Sequence, residues 1–205
     1  MEDVRTFAKK QMTRLAKWLD KISDGKITPN QITIASLLLH IPIFFAIIAQ
    51  QYTLAAVMLV LFASLDALDG ALARVQKVDS RAGMLLDAST DRMKESILFI
   101  ALAYRFALDF EPKAVFAAVA AITGSFAVSY IKAKGEVAMK DSALSVQEIN
   151  RVFQAGFMRY EIRTAFLVIG LLFTSLLIPI VWGIAILSWA TAIYRLITIS
   201  KEISN

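Results

Sequence analysis

The sequence contains no cysteine and only one histidine. Without thiols there can be no disulfide, no thiolate nucleophile and no cysteine-based metal centre. Charge is also sparse: charged residues make up 19% of the 205 positions, against 58% hydrophobic ones. With a mean hydropathy of +0.61, the chain is too apolar for a soluble domain of this length and fits a polytopic helical membrane protein. The net charge of +5 does not point to nucleic acid, because the basic residues flank apolar spans, where they set topology and meet anionic headgroups. No repeat or low-complexity stretch stands out. No cleavable leader is expected, since the N-terminal residues alternate charged and apolar side chains.

What is present is a series of long apolar segments separated by short polar turns. Residues 2–22 read as an amphipathic helix, with Phe7, Met12, Leu15, Trp18, Leu19 and Ile22 recurring at helical spacing and Lys9, Lys10, Arg14, Lys17 and Lys21 elsewhere. That pattern predicts a helix lying in the membrane interface. Thr28-Pro29-Asn30-Gln31 reads as a capping box opening the next helix; a helix N-terminus is also an anion site, which leaves Asn30 and Thr33 as phosphate-facing candidates. Six spans follow, at about 32–50, 54–75, 83–106, 112–134, 162–178 and 179–200, with Pro112 opening the fourth and Pro179 marking the last turn. His40, in the first span with no acidic partner in its own helix, reads as a packing residue. Gly124 and Ser125 allow close helix approach in the fourth span. Ser145-Val-Gln-Glu148 is a further capping-box candidate in the long polar connection 136–159. Lys and Arg concentrate in the N-terminal helix, near 74–81, at 132–163 and in the tail, which places both termini at the cytoplasmic face. The expected architecture is all-α: an interfacial helix and turn over 1–26, then a six-helix transmembrane domain over 27–205.

One stretch breaks the apolar pattern. Asp66-Ala-Leu-Asp69-Gly70-Ala-Leu-Ala73-Arg74 is followed, after eight residues, by Gly83-Met-Leu-Leu-Asp87-Ala-Ser-Thr-Asp91. Spacings of three and four put each aspartate pair on one helix face, and the antiparallel spans bring both pairs to one membrane boundary. A carboxylate inside a bilayer costs about 2.5–3.5 kcal/mol on insertion scales and is normally paired or ligated. Four together call for cations, and oxygen donors without cysteine or clustered histidine favour magnesium, manganese or calcium over zinc. Two ions held this way suit an in-line displacement at phosphorus. Arg74 can clamp a phosphate, and Gly70, Ala73 and Gly83 leave room for a ligand beside the ions. A divalent-cation or proton transporter is the rival reading, but spans five and six offer almost no polar path.

The pattern Asp-x-x-Asp-Gly-x-x-Ala-Arg, eight residues, Gly-x-x-x-Asp-x-x-x-Asp resembles, at every fixed position, the signature of the CDP-alcohol phosphotransferase family. The resemblance implies transfer of a phosphatidyl-type group from a CDP-linked lipid (CDP-diacylglycerol or CDP-archaeol) to an alcohol, with release of CMP. It implies that Asp66, Asp69 and Asp87 bind the metals, two Mg2+ or Mn2+ ions. It implies that Asp91 is the general base and also touches a metal, that Gly70, Ala73 and Gly83 accommodate the cytidine, and that Arg74 and Asn30 hold the diphosphate. Homodimers are usual in that family. Downstream, Ser129-Tyr-x-Lys132-Ala-Lys134 and Gly156-x-x-Arg159-x-Glu161-x-Arg163 look most like the prokaryotic branch that uses inositol phosphate, which casts Lys132, Arg159 and Arg195 as contacts to the acceptor phosphate. Ala88 and Arg92 depart from the glycerol-phosphate pattern, so glycerol 3-phosphate ranks second. Lys134, Lys140 and Arg151 read equally well as positive-inside anchors.

Overall fold

The structure, a computed structural model, describes residues 4–78, 80–138 and 158–204. Among them are seven α-helices, one short 3-10 turn and no strand. The helices are α1 (Val4–Ser23), α2 (Pro29–Ile48), α3 (Tyr52–Gln76), α4 (Arg81–Leu108), α5 (Pro112–Ala138), α6 (Tyr160–Leu172) and α7 (Leu177–Ser204). The capping-box candidate at 145–148, Lys140, Arg151 and Gly156 lie outside the described residues.

Four segments are long and apolar enough to cross a membrane: α2, α3, α5 and residues 174–202. Their outward faces carry Phe45, Leu61, Phe116 and Ile186, each more than half exposed. Such surfaces would be a liability in water and are ordinary against hydrocarbon. The two remaining expected spans do not meet the same test. Helix α4 has the length, but its first 15 residues carry Asp87, Asp91, Arg92, Lys94 and Glu95. Helix α6 has only 13 residues, about 20 Å at 1.5 Å per residue, short of the roughly 30 Å apolar layer. The expected turn at Pro179 also moves. The chain bends at Thr174–Leu176 instead, and Pro179 falls in the first turn of α7, where its missing N–H costs no hydrogen bond.

The chain divides into two compact units, Met1–Leu98 and Phe99–Asn205. In the first, α3 packs against both α1 and α2. Ala16 of α1, Ile32 of α2 and Leu68, Ala71 and Leu72 of α3 form a buried cluster, joined by Met12, Leu19, Ile27, Leu65 and Val75. Helix α1 therefore does pack, on one side, against a neighbour that the sequence reading did not give it. Its other apolar residues, Phe7, Leu15, Trp18 and Ile22, stay exposed, Trp18 at 59%. The turn after α1 uses left-handed backbone at Asp24 and Gly25. A side-chain latch holds that turn: Gln76 Nε2 donates to Asp20 Oδ1 at 2.8 Å and to the Ile27 carbonyl at 2.9 Å.

In the second unit α5 packs along α7, and α6 packs on α7. Gly124 and Ser125 are buried there as expected. A Cβ on Gly124 would come within 3.0 Å of Trp189 Cδ1 and 3.1 Å of Ser188 Cβ, so the absent side chain sets the α5–α7 spacing.

Candidate active site

The site in the first unit is built by the starts of two helices and the end of a third. Thr28 caps α2 as the sequence predicts: its Oγ1 accepts from the Gln31 amide at 3.3 Å, and Gln31 Oε1 accepts from the Thr28 amide at 2.9 Å. Ser80 caps α4 in a similar way, its Oγ accepting from the Gly83 amide at 3.0 Å. Both N-termini border one cavity of about 620 Å3, which the last turns of α3 close from another side. Asn30, Asp69, Gly70, Ala73, Gly83 and Asp87 all line it. Two helix starts border the same space, and the positive ends of their dipoles favour an anion there.

The bare positions behave as the sequence suggests. A Cβ on Gly70 would meet only Arg74 Nη1, at 3.6 Å, and one on Gly83 would approach Ser80 Oγ and Asn30 Oδ1 at 3.2 and 3.5 Å. Arg74 is exposed at the cavity end of α3, and its guanidinium lies beside the space that Gly70 leaves open.

Each aspartate is held differently. Asp69 is buried; its Oδ2 accepts from the Thr33 hydroxyl and its Oδ1 from the Gly70 amide, both at 2.5 Å. Asp66 Oδ1 accepts from the Ser36 hydroxyl at 2.9 Å and from Lys94 Nζ at 2.6 Å. Lys94 Nζ also forms an ion pair with Asp91 Oδ1 at 2.8 Å. Asp87 is exposed on the cavity wall. Asp69 feels the negative charge of Asp87 and Asp66, Asp87 that of Asp66, and Asp91 that of Asp66 and Asp87, so the four act as one electrostatic group. Asp66 and Asp91 do not line the cavity; Lys94 ties them together beside it.

Whether such a group suits divalent ions can be judged from its own atoms. Asp66 Oδ2 is buried without a hydrogen bond among the described residues, a costly condition for a carboxylate oxygen unless a cation satisfies it. The donors are all hard oxygens, which fits magnesium or manganese. No three acidic or histidine side chains among the described residues already close into a cage. The Lys94 ammonium stands between two of them.

Several of these partners were not singled out in the sequence. Ser36 and Lys94 went unremarked, and Thr33 counted only as a phosphate-facing alternative to plain capping. A signal existed: Thr33, Ser36 and His40 recur at helical spacing along an otherwise apolar span. His40 is fully buried, with Nδ1 donating to the Ser36 carbonyl at 2.8 Å and Nε2 buried without a partner among the described residues. It is thus only half satisfied as a packing residue.

The downstream basic residues belong to the second unit. Arg195 is buried on α7, with Nη1 3.4 Å from the Val128 carbonyl, and it feels the positive charges of Arg163 and Arg159. Arg163, named in the sequence but not assigned to the acceptor, is only 2% exposed and donates to the Met158 carbonyl at 2.5 Å. Arg159 is exposed just before α6. Lys132 stands apart from these three in character: its side chain is half exposed and 3.6 Å from Glu136 one helical turn on, a surface pair that contributes little.

Comparison with known proteins agrees with the geometry. Residues 26–195 match the CDP-alcohol phosphatidyltransferase family. A phosphatidylinositol phosphate synthase of Corynebacterium glutamicum is 29% identical over 185 residues, 86% of this chain and 80% of that one. An archaetidylinositol phosphate synthase of Pyrococcus horikoshii is 30% identical over 204 residues, 99% of this chain and 98% of that one. Among solved structures, the phosphatidylinositol phosphate synthase of Mycobacterium tuberculosis with CDP-DAG bound superposes with a TM-score of 0.79 at 25% identity, covering 92% of each chain. The same enzyme in complex with manganese and citrate gives the same score, covering 92% of this chain and 88% of that one. The match over most of the chain, the full signature from Asp66 to Asp91 and the shared fold lead to one conclusion: this chain belongs to the CDP-alcohol phosphatidyltransferase family.

Proposed function

We propose that the protein transfers a phosphatidyl-type group from CDP-diacylglycerol or CDP-archaeol to the hydroxyl of inositol phosphate, releasing CMP. The observation that carries this reading is the cavity itself, where Asn30, Asp69, Gly70, Ala73, Gly83 and Asp87 meet at two helix N-termini. The names of the relatives from Corynebacterium glutamicum, Pyrococcus horikoshii and Mycobacterium tuberculosis support inositol phosphate as acceptor over glycerol 3-phosphate.

In this reading the cytidine occupies the room left by Gly70, Ala73 and Gly83. The diphosphate lies against the first-turn amides of α2 and α4, with Asn30 and Arg74 as its side-chain contacts. Asp66, Asp69, Asp87 and Asp91 hold two Mg2+ or Mn2+ ions. When bound, such ions neutralise the diphosphate and stabilise the departing CMP. Thr33 and Ser36 fix Asp69 and Asp66 by hydrogen bonds, as outer partners of metal-ligating carboxylates do. Asp91 accepts the proton of the acceptor hydroxyl as the new O–P bond forms and the bond to CMP breaks. A carboxylate among cations is a weak base, so positioning supplies much of the acceleration. The acceptor phosphate is held by Arg195 and Arg159, whose mutual repulsion with Arg163 an anion relieves; Lys132, half exposed on α5, contributes less.

The surrounding topology belongs to the same reading. Helices α4 and α6 complete six spans in a single membrane domain over 27–205, α1 lies in the interface on its Trp18 face, both termini and the site are cytoplasmic, and the protein is a homodimer. The test is an assay of detergent-purified protein with CDP-diacylglycerol, Mg2+ and labelled inositol phosphate, glycerol 3-phosphate, inositol or serine in parallel. CMP release dependent on inositol phosphate is expected. CMP release with glycerol 3-phosphate alone would overturn the acceptor, and no release with any acceptor or with CDP-archaeol would overturn the reading.

A further inference from the structure

Lys94 is the one element of the acidic cluster for which the proposed reaction has no use, and it is unusually placed. Its side chain is 0% exposed, and its ammonium makes two ion pairs, at 2.6 Å to Asp66 on α3 and 2.8 Å to Asp91 on its own helix. Fully buried lysines are rare unless paired. A buried ion pair is seldom kept for stability alone, because apolar residues of equal volume do as well or better. That replacement is closed to Asp66 and Asp91 if they ligate ions, a condition that makes this inference rest on the reading proposed above. A protein that must keep four carboxylates together then needs a positive charge of its own when ions are scarce.

The surrounding groups fit that role. Both donors to Asp66, the Ser36 hydroxyl and the Lys94 ammonium, share Oδ1, and Oδ2 remains bare. Asp87 and His40 also feel the Lys94 charge, so it acts on the cluster as a whole. Lys94 lies one helical turn beyond Asp91, close enough to hold it, and its four-carbon stem allows the ammonium to shift without moving the helix.

We infer that Lys94 is a positioning residue: it is the built-in counter-charge that clamps Asp66 to Asp91 in the metal-free protein and competes with divalent ions for the same carboxylates. Removing its charge makes the cluster depend on added ions. Lys94→Met, close in length but neutral, unfolds at a lower temperature than wild type without metal, and Mn2+ raises its unfolding temperature by more than it raises that of wild type. Calorimetric titration gives a Mn2+ Kd lower by about tenfold, the order expected when one nearby like charge is removed from a partly buried site. Lys94→Arg keeps the charge and stays near wild type in both measurements.

If Lys94→Met cannot be recovered metal-free, purification in Mn2+ throughout yields folded, monodisperse protein. Failure to fold even with Mn2+, or a Mn2+ affinity equal to or weaker than that of wild type, overturns the inference. Asp69→Asn, which Lys94 does not touch, separates the two ideas. Mn2+ binding by Asp69→Asn at wild-type strength would overturn the ligand reading, whereas weakened binding by Asp69→Asn together with no tighter binding by Lys94→Met would overturn the clamp alone.

Discussion

Gly70 and Gly124 offer a matched pair of substitutions whose outcomes should be opposite. Both are helical glycines without positive φ, so alanine raises no backbone objection at either. In a helix interior the exchange is worth roughly 0.5–1 kcal/mol in favour of alanine. At Gly70 the new methyl would find only the Arg74 guanidinium, at 3.6 Å, an ordinary contact. The ligand-free protein should therefore be as stable as wild type or more so by about 0.5 kcal/mol. The methyl would, however, stand in the cavity where the cytidine is proposed to lie. Forcing a methyl-sized group into a fitted contact costs about 1–3 kcal/mol, a loss of roughly 5-fold to 150-fold in CDP affinity. At Gly124 the same methyl would be 3.0 Å from Trp189 Cδ1, inside the 3.5–4.0 Å separation that carbon atoms prefer. Gly124→Ala should thus lose about 1–3 kcal/mol of stability and leave CDP affinity unchanged. Thermal unfolding of each variant in detergent, with calorimetric titration of CDP in the presence of Mg2+, checks both arms. Unchanged CDP affinity in Gly70→Ala would show that the missing side chain does not make room for the nucleotide, and a large stability loss there would show that it serves packing instead.

Other expectations follow from single contacts. Asp91→Asn should retain nucleotide binding while turnover falls by about 10²–10⁴, measured as CMP release under saturating substrates; turnover within tenfold of wild type would remove Asp91 from the base role. Arg195→Ala should raise the KM for inositol phosphate by at least roughly tenfold, with the KM for the CDP-lipid nearly constant; equal changes in both would place Arg195 outside the acceptor pocket. Gln76→Ala removes donors to Asp20 and to the Ile27 carbonyl and should cost about 1–3 kcal/mol. Its effect should be non-additive with Asp20→Asn in thermal unfolding; full additivity would mean that the latch is not a unit.

The donor side of the site was legible because its chemistry is local. Two aspartate pairs at helical spacing, glycines where bulk would be expected and a capping box are all patterns within single segments, and the structure places Asp69, Gly70, Ala73, Gly83, Asp87 and Asn30 around one cavity. The parts that were missed are partnerships across helices. Nothing within α4 distinguishes Lys94 from a topology-setting lysine; its role appears only when α3 supplies Asp66. Likewise Ser36 and Thr33 look like small residues of an apolar span until Asp66 and Asp69 stand opposite them. The interfacial pattern of α1 also gives no sign that Ala16 packs with Leu68, Ala71 and Leu72 of α3, because those residues look like any others of an apolar span. The misplaced turn at Pro179 has a different cause: a proline is compatible with the first turn of a helix as well as with a break, and only the preceding Phe173–Leu176 backbone decides between them.

The assignment of residues to the two substrates follows a similar division along the chain. Every contact proposed for the CDP-lipid and the metal ions lies between Thr28 and Lys94, in segments whose glycines, caps and carboxylates constrain one another: Gly83 is bounded by Ser80 and Asn30, Gly70 by Arg74, and Asp69 by Thr33. Few of these can change singly without disturbing a neighbour. The cations proposed for the acceptor lie between Lys132 and Arg195, and they differ in how firmly they are fixed. Arg163 and Arg195 are buried and bonded to carbonyls, whereas Arg159 and Lys132 are exposed. Buried cations of this kind cannot be exchanged without leaving the carbonyls they bond unpaired. Exposed ones can be exchanged at little cost in stability. The preference for a phosphorylated alcohol should therefore be built into Arg195, the buried cation proposed to hold the acceptor phosphate. Discrimination among phosphorylated alcohols should rest with the exposed positions, so that substitutions at Arg159 change the ratio of inositol phosphate to glycerol 3-phosphate use without admitting serine or free inositol.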